Sequence, residues 1–295
     1  MTVLVLGAGG LLGSAVVRKG LDRSLNVVGT YHSNAPAFKI PLEQLDIRQT
    51  VAFESLLDQY DPDAVINCAA LTDVDSCESK SETAFEINGE APGDLAYSCA
   101  GHSVTFVQIS TDYVFDGTAT TPYDETEPTG PIQVYGESKL AGEESVQDTD
   151  GDNLLTRLSF VYGIRGDTNE PVGFPAWVHE MLEAGDETPL FVDQHLTPTR
   201  AGQAAETILD LLENQATGTY HIASRSCVSP YVFGNKIAQL LNADDTLIQE
   251  SKQSDIDRAA DRPTYTCLDV TAVEDELGRR QPTLEKDLRA IENQF

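Results

Sequence analysis

The stretch Met1-Thr2-Val3-Leu4-Val5-Leu6-Gly7-Ala8-Gly9-Gly10-Leu11-Leu12-Gly13 decides the fold. A short run of β-branched and aliphatic residues reads as a buried strand, and it runs directly into a G-x-x-G-x-x-G loop that opens a helix at Leu11. Gly7 permits the tight turn. Gly10 lets backbone N–H groups approach a pyrophosphate at the positive end of the helix, and Gly13 lets helix and strand pack closely. Leu11 and Leu12 lie between the last two glycines, in the part of the loop that would meet a dinucleotide. A signal peptide is a poor description of this segment, because it lacks a basic leader and is broken by glycines.

Outward from this turn, strand-like runs alternate with helical patterns. Val27–Thr30, Ala64–Asn67, Val104–Ser110 and Leu154–Ser159 read as strands, and Val51–Tyr60, Ser81–Ala100 and Gln133–Gln147 read as helices. That alternation predicts an α/β fold, a Rossmann-type doubly wound parallel sheet. Beyond residue 163 the regularity weakens. Helices are predicted at Gly173–Ala184, Thr199–Asn214, Pro230–Leu241, Thr271–Leu277 and Thr283–Glu292, with one strand at Thr219–Ala223. The expected organisation is a dinucleotide-binding domain over 1–163, to which about 188–222 returns, and a smaller α+β substrate lobe formed mainly by 164–295.

Composition narrows the function. Nineteen Lys and Arg against 48 Asp and Glu give a net charge of −29 in 295 residues. Nucleic-acid and anionic-membrane binding begin with a basic face, so neither partner is expected. The acid is spread along the chain, as in a protein adapted to molar salt, where self-repulsion is screened. No apolar run is long enough to span a bilayer, and a cytoplasmic protein is expected. The five cysteines form no C-x-x-C pair and read as buried reduced thiols. No metal is expected either. The acidic cluster Asp73, Asp75 and Glu78 lacks the spacing of a calcium loop, and the five histidines, His195 at the cleft side among them, form no H-x-x-x-H pair.

At the end of the second strand, Tyr31-His32-Ser33 offers no acid to accept from a ribose 2′-hydroxyl. His32 and Ser33 can instead bond a 2′-phosphate, which favours NADPH and leaves NADH open. Asp46-Ile47, after the apolar stretch Lys39–Leu45, stands where such folds hold the adenine edge. Tyr135-Gly136-Glu137-Ser138-Lys139 stacks a phenol and an ammonium one helical turn apart. A neighbouring ammonium favours phenolate, so Lys139 is expected to bring Tyr135 towards the neutral range, and it can hold ribose hydroxyls as well. The strand ending Ser110-Thr111-Asp112 delivers Thr111 to the same sheet edge. Thr111 and Tyr135 can then share the hydrogen-bond shell of a carbonyl oxygen while hydride arrives from a nicotinamide. Phe174 and Trp177, at helical spacing, are expected to pack the small lobe, with base stacking as the alternative.

With Asn67-Cys68-Ala69-Ala70, Ser110-Thr111-Asp112-Tyr113-Val114-Phe115-Asp116-Gly117, Asn88-Gly89-Glu90-Ala91-Pro92, Asp193-Gln194-His195-Leu196-Thr197-Pro198-Thr199 and Arg262-Pro263, the chain resembles the extended short-chain dehydrogenase/reductases. Within them it is most similar to the dTDP-4-dehydrorhamnose reductase family. The resemblance implies a Thr111, Tyr135 and Lys139 triad in which Tyr135 donates the proton. It also implies Ala69, Ala70 and Leu71 beside the cofactor, Val74, Asp112 and Phe160 beside the sugar, and a nucleotide-sugar substrate in a glycan pathway. Phe160 stands in place of the family's pocket Trp. Related dehydratases read Thr-Asp-Glu where this chain has Thr111-Asp112-Tyr113, and the acid that NAD-retaining epimerases carry after the second strand is missing, so reduction is favoured over both. The chain also resembles the regulatory partner of S-adenosylmethionine synthase, a non-catalytic alternative on the same fold. A homodimer is left open.

Overall fold

The computed structural model describes residues 1–294. The chain runs β1 (Thr2–Leu6), α1 (Leu11–Asp22), β2 (Asn26–Tyr31), β3 (Leu42–Gln44), α2 (Thr50–Tyr60), β4 (Ala64–Asn67), α3 (Val74–Ser79) and α4 (Ser81–Phe85). It continues through α5 (Ala91–Gly101), β5 (Thr105–Thr111), α6 (Val134–Gln147), β6 (Asn153–Leu158), β7 (Val161–Ile164), β8 (Pro171–Val172), α7 (Phe174–Ala184), β9 (Thr188–Phe191) and β10 (Thr199–Arg200). The last elements are α8 (Ala201–Glu213), β11 (Gly218–Ile222), α9 (Pro230–Leu241), β12 (Ile248–Ser251), α10 (Thr271–Leu277) and α11 (Leu284–Arg289).

Seven strands form one parallel sheet in the order β11-β6-β5-β4-β1-β2-β3. The chain winds outward from β1 to β3, then crosses back and winds the other way from β4. The crevice where that direction reverses lies at the carboxyl ends of β1 and β4, where ligands of doubly wound sheets bind. Alternation along β1 shows why both faces are covered. Val3 and Val5 pack with Val16 of α1 and Ile208 of α8, whereas Leu4 and Leu6 pack with Phe53 of α2 and Leu95 of α5. Gly13 is the contact point: a Cβ there would lie 2.2 Å from the Gly7 carbonyl oxygen. A separate core, with Val178, Leu190, Phe233, Ile237 and Leu288, holds the smaller lobe together.

Three features differ from the sequence-based expectation. The helix predicted over Ser81–Ala100 is interrupted by a π-helical segment at Glu86–Glu90. Helix α6 crosses it closely, since a Cβ on Gly142 would sit 2.1 Å from the Asn88 carbonyl oxygen, and the extra residue turns the Asn88 side chain inward. The segment Thr188–Phe191 does not join the large sheet but pairs with β12, and the return to that sheet is made by β11. Cys227 and Cys267 form a disulfide with a Cα–Cα distance of 5.5 Å, which corrects the expectation of five reduced thiols. Cys68, Cys77 and Cys99 are free. The pairing comes from tertiary structure rather than spacing. His195 bonds through its backbone to Thr264 and Thr266, and Leu196 to Val228, so the two cysteine segments flank one short extended segment.

The disulfide closes a loop of sequence separation 40, and chain-entropy reasoning assigns such a link about 2–4 kcal/mol. Cys227→Ser should therefore lower stability by that order in denaturant titrations, and a reducing agent should do the same to the native chain while leaving the variant unchanged. Equal stability of oxidised and reduced protein would contradict the assignment.

Candidate active site

A cleft of about 560 Å³ opens over the carboxyl ends of β1, β4, β5 and β6. It brings together Gly10, Leu11, Leu12 and Gly13 from the glycine turn, Ala69 and Ala70 after β4, Val74, Thr111 and Asp112 after β5, Tyr135 and Lys139 from α6, and Phe160. Gly7 lies beneath it in a left-handed turn at φ 74°. Tyr31, His32, Ser33, Asp46 and Ile47 do not line the cleft. His32 and Ser33 are exposed beyond β2 and bond each other at 2.8 Å. Asp46 is held by Arg48 in a surface recess, with its carboxylate 3.9 Å from His32, and Ile47 is buried in the core.

The glycine turn is built to receive an anion. The amides of Leu11, Leu12 and Gly13 form the free first turn of α1, where the first N–H to donate along the helix is that of Ser14, to the Gly10 carbonyl. No acidic residue lies in that turn and no side chain caps it. In a chain of net charge −29 this leaves the positive end of the helix dipole uncompensated.

Across the cleft, the Thr111 hydroxyl lies on the same wall as the Tyr135 phenol, donates to Asp112 Oδ1 at 3.1 Å and accepts from the Tyr113 amide at 3.2 Å. The Asp112 carboxyl also accepts from Ser159 at 2.7 Å, and burial pushes it up to about 6. Lys139 is 4% exposed and donates to the Ile109 carbonyl at 2.6 Å. Burial lowers its ammonium to about 8 against the opposing pull of Glu143 and Cys68. The expectation that Lys139 draws the phenol towards neutrality is corrected. Burial raises Tyr135 well above the ordinary phenol value, and the lysine is turned to a backbone oxygen instead. The phenol is therefore protonated at neutral pH, the form that donates.

Leu71 does not line the cleft but is clamped by Asn88. The Asn88 Oδ1 accepts from the Leu71 amide at 2.9 Å, and its Nδ2 donates to the Leu71 carbonyl and the Ser138 hydroxyl. Asn88 thus ties the 68–72 loop to the helix carrying Tyr135. Sequence reasoning gave it no role, because the π-helical turn that aims it inward has no periodicity signal.

A second cavity of about 330 Å³ adjoins the first and shares Tyr113 and Phe160 with it. Phe160 holds a left-handed backbone at φ 46°, a strained conformation at the wall between the two spaces. Phe174 packs on Phe160 and Phe233, as the sequence suggested, whereas Trp177 is half-exposed on the second cavity. Arg258, stacked on the Phe191 ring at 4.9 Å, and Arg262, paired with Asp75 at 2.8 Å, supply its positive charge. Asp73 caps α3, and Glu78 accepts from the Val134 amide at the start of α6, so the acidic cluster is used in positioning. His195 stacks on Tyr265 at the surface.

The family model described as RmlD substrate binding domain matches residues 1–295. A Haloferax volcanii protein named as a probable low-salt glycan biosynthesis reductase is 54% identical over 295 residues, covering 100% of this chain and 98% of that protein. A dTDP-4-dehydrorhamnose reductase of Streptomyces griseus is 34% identical, covering 90% and 84%. The crystal structure of dTDP-4-dehydrorhamnose reductase from Bacillus anthracis in complex with NADP superposes with a TM-score of 0.87 at 25% identity, covering 98% and 97%.

Removing the Asn88 clamp should loosen this wall of the cleft. Asn88→Ala leaves the Leu71 amide without a partner and its carbonyl with only the weak Cys77 thiol donor, a cost of about 1–3 kcal/mol. Hydrogen exchange should show the Leu71 amide losing protection well before the β4 amides do. Unchanged protection at Leu71 would sink this role for Asn88.

Proposed function

The chain belongs to the RmlD substrate-binding-domain family, and from that premise we propose that it reduces a nucleotide-linked 4-keto-6-deoxy sugar, of the dTDP-4-dehydrorhamnose type, to the alcohol. NADPH is the proposed reductant, with NADH as the second candidate. The observation that carries the reading is the meeting, in one cleft, of an acid-free glycine turn with Thr111, Tyr135 and Lys139.

The free amides of Leu11, Leu12 and Gly13 fit a pyrophosphate, and the small side chains of Ala69 and Ala70 leave room for a flat ring system beside β4. A bound nicotinamide cofactor supplies the hydride. Lys139 holds ribose hydroxyls. His32 and Ser33, beyond β2, offer hydrogen bonds to a 2′-phosphate, and the Asp46 carboxylate beside His32 is engaged by Arg48. Thr111 and Tyr135 both line the cleft, where their hydroxyls can meet the keto oxygen once the Thr111 proton turns from Asp112. As hydride adds to the carbonyl carbon, the Tyr135 phenol passes its proton to the oxygen and Thr111 stabilises the charge developing there. Solvent then restores the phenol proton.

The second cavity suits the nucleotide portion of the substrate. Guanidinium groups recognise diphosphate through paired N–H donors, and Phe174, Phe191 and Trp177 give a base apolar walls. Val74, Asp112 and Phe160, at the junction of the two spaces, would touch the sugar. Tyr113 stands where a dehydratase needs a carboxyl, and burial pushes it up to about 12, so it offers no base for water elimination.

The test is oxidation of NADPH, and separately of NADH, by dTDP-4-dehydrorhamnose in concentrated salt, followed by absorbance. Tyr135→Phe should lower the rate by about 10²–10⁴-fold while cofactor binding is kept. Equal rates in the two proteins would refute the role of Tyr135. Bound cofactor without turnover would refute the substrate.

A further inference from the structure

One strongly ionic group next to the catalytic residues has no place in the mechanism above. Glu143 follows Lys139 by one helical turn on α6 and is 1% exposed. Such a residue lies on the same helix face, with Cβ atoms about 5–6 Å apart. Its carboxylate is gripped by Arg157 of β6, itself 5% exposed, through contacts of 3.0, 3.2 and 2.7 Å. The Arg157 guanidinium also lies 5.1 Å over the Phe115 ring and 3.4 Å from His221 Nε2. An ion pair this buried is expensive to desolvate and adds little net stability over an apolar pair. Its position beside Lys139 calls for another explanation.

We infer that Glu143 is a positioning residue: clamped by Arg157, it holds a buried carboxylate one turn beyond Lys139 and so keeps the lysine ammonium charged inside the cleft. The surroundings support this. Tyr135, Asp112, Tyr113 and Cys68 line the same cleft as Lys139. Burial drives the Cys68 thiol up to about 12 and raises Tyr135 further, so both are neutral across the working range. Asp112 is engaged by Thr111 and Ser159, and Glu78 of α3 by the Val134 amide. His221, beside Arg157, is held neutral by burial, at about 3. Glu143, buried one turn along the same helix face, opposes the effect of burial on the Lys139 ammonium. The arginine adds rigidity. Bidentate Arg157 fixes the carboxylate's geometry and ties α6 to the sheet strand next to β5, which carries Thr111.

The catalytic consequence rests on the reductase reading, whereas the charge relation does not, and the experiment separates them. Lys139 in the intact protein would be titrated by competitive labelling with acetic anhydride, quantified by mass spectrometry, in the wild type, in Glu143→Gln and in Glu143→Gln/Arg157→Met. The paired variant removes both charges and serves where the single one, with its stranded guanidinium, does not fold. The wild-type midpoint is expected near pH 8, falling by about one pH unit in Glu143→Gln and by a smaller but measurable amount in the paired variant, where the opposing Arg157 charge is gone as well. The basic limb of NADPH oxidation should move by the same amount, with kcat rather than KM carrying the change. A shifted labelling midpoint without turnover of any keto-sugar would uphold the inference and fail the reductase reading. An unshifted midpoint in a variant with native circular dichroism and melting temperature would overturn the inference.

Discussion

The structure depends on one close approach, that of Gly13 to the carbonyl of Gly7. With 2.2 Å between that oxygen and any Cβ, only glycine lets α1 start directly against β1. Every other side chain would push the helix off the sheet. From that contact follow the position of the free amides at the sheet edge, the packing of α8 along α1, and the link to the smaller lobe. In that link Ser14 accepts from the Gly166 amide and Arg18 donates to the Gly166 carbonyl. The second half of the site is built on the opposite side of the reversal, where α6 is fastened by Asn88 and by the Glu143–Arg157 pair. The cleft is thus a gap between two separately anchored helices, with β4 and β5 as its floor.

Electrostatics set the terms on which such a site works in so acidic a chain. At molar salt the Debye length is about 3 Å, so the field of surface carboxylates is screened while buried pairs keep their strength. The cleft therefore draws on groups that salt does not reach: backbone amides, the nearly buried Lys139 and hydroxyls held by the buried Asp112. The two arginines of the second cavity are each held by a neighbour, Arg262 by Asp75 and Arg258 by the face of Phe191.

Much of this was legible in the sequence. The strands β1, β2, β4, β5 and β6 are short apolar runs bounded by turns, and the glycine spacing and the Tyr135–Lys139 pair specify local geometry that tertiary contacts do not override. What was hidden depends on contacts distant in sequence. β9 and β12 are four residues each and have no reason to pair until α7 and α9 bring them together. The Cys227–Cys267 bond depends on the isolated bridges at His195 and Leu196. The Asn88 clamp depends on a π-helical turn forced by the crossing of α6. The state of Tyr135 is hidden in the sequence for a related reason. Helical spacing shows that Lys139 is near, but only the folded chain shows that burial outweighs it and that the ammonium faces Ile109.

In the proposed reaction hydride passes directly to a carbonyl carbon held beside Thr111 and Tyr135. The most direct measurement uses NADPH carrying deuterium on each C4 face in turn, with the nucleotide-linked 4-keto-6-deoxy sugar as acceptor and mass spectrometry of the product sugar. One face alone should deliver deuterium, and it should be found at C4 of the sugar. Product without deuterium from either face, or label at another carbon, would contradict the account.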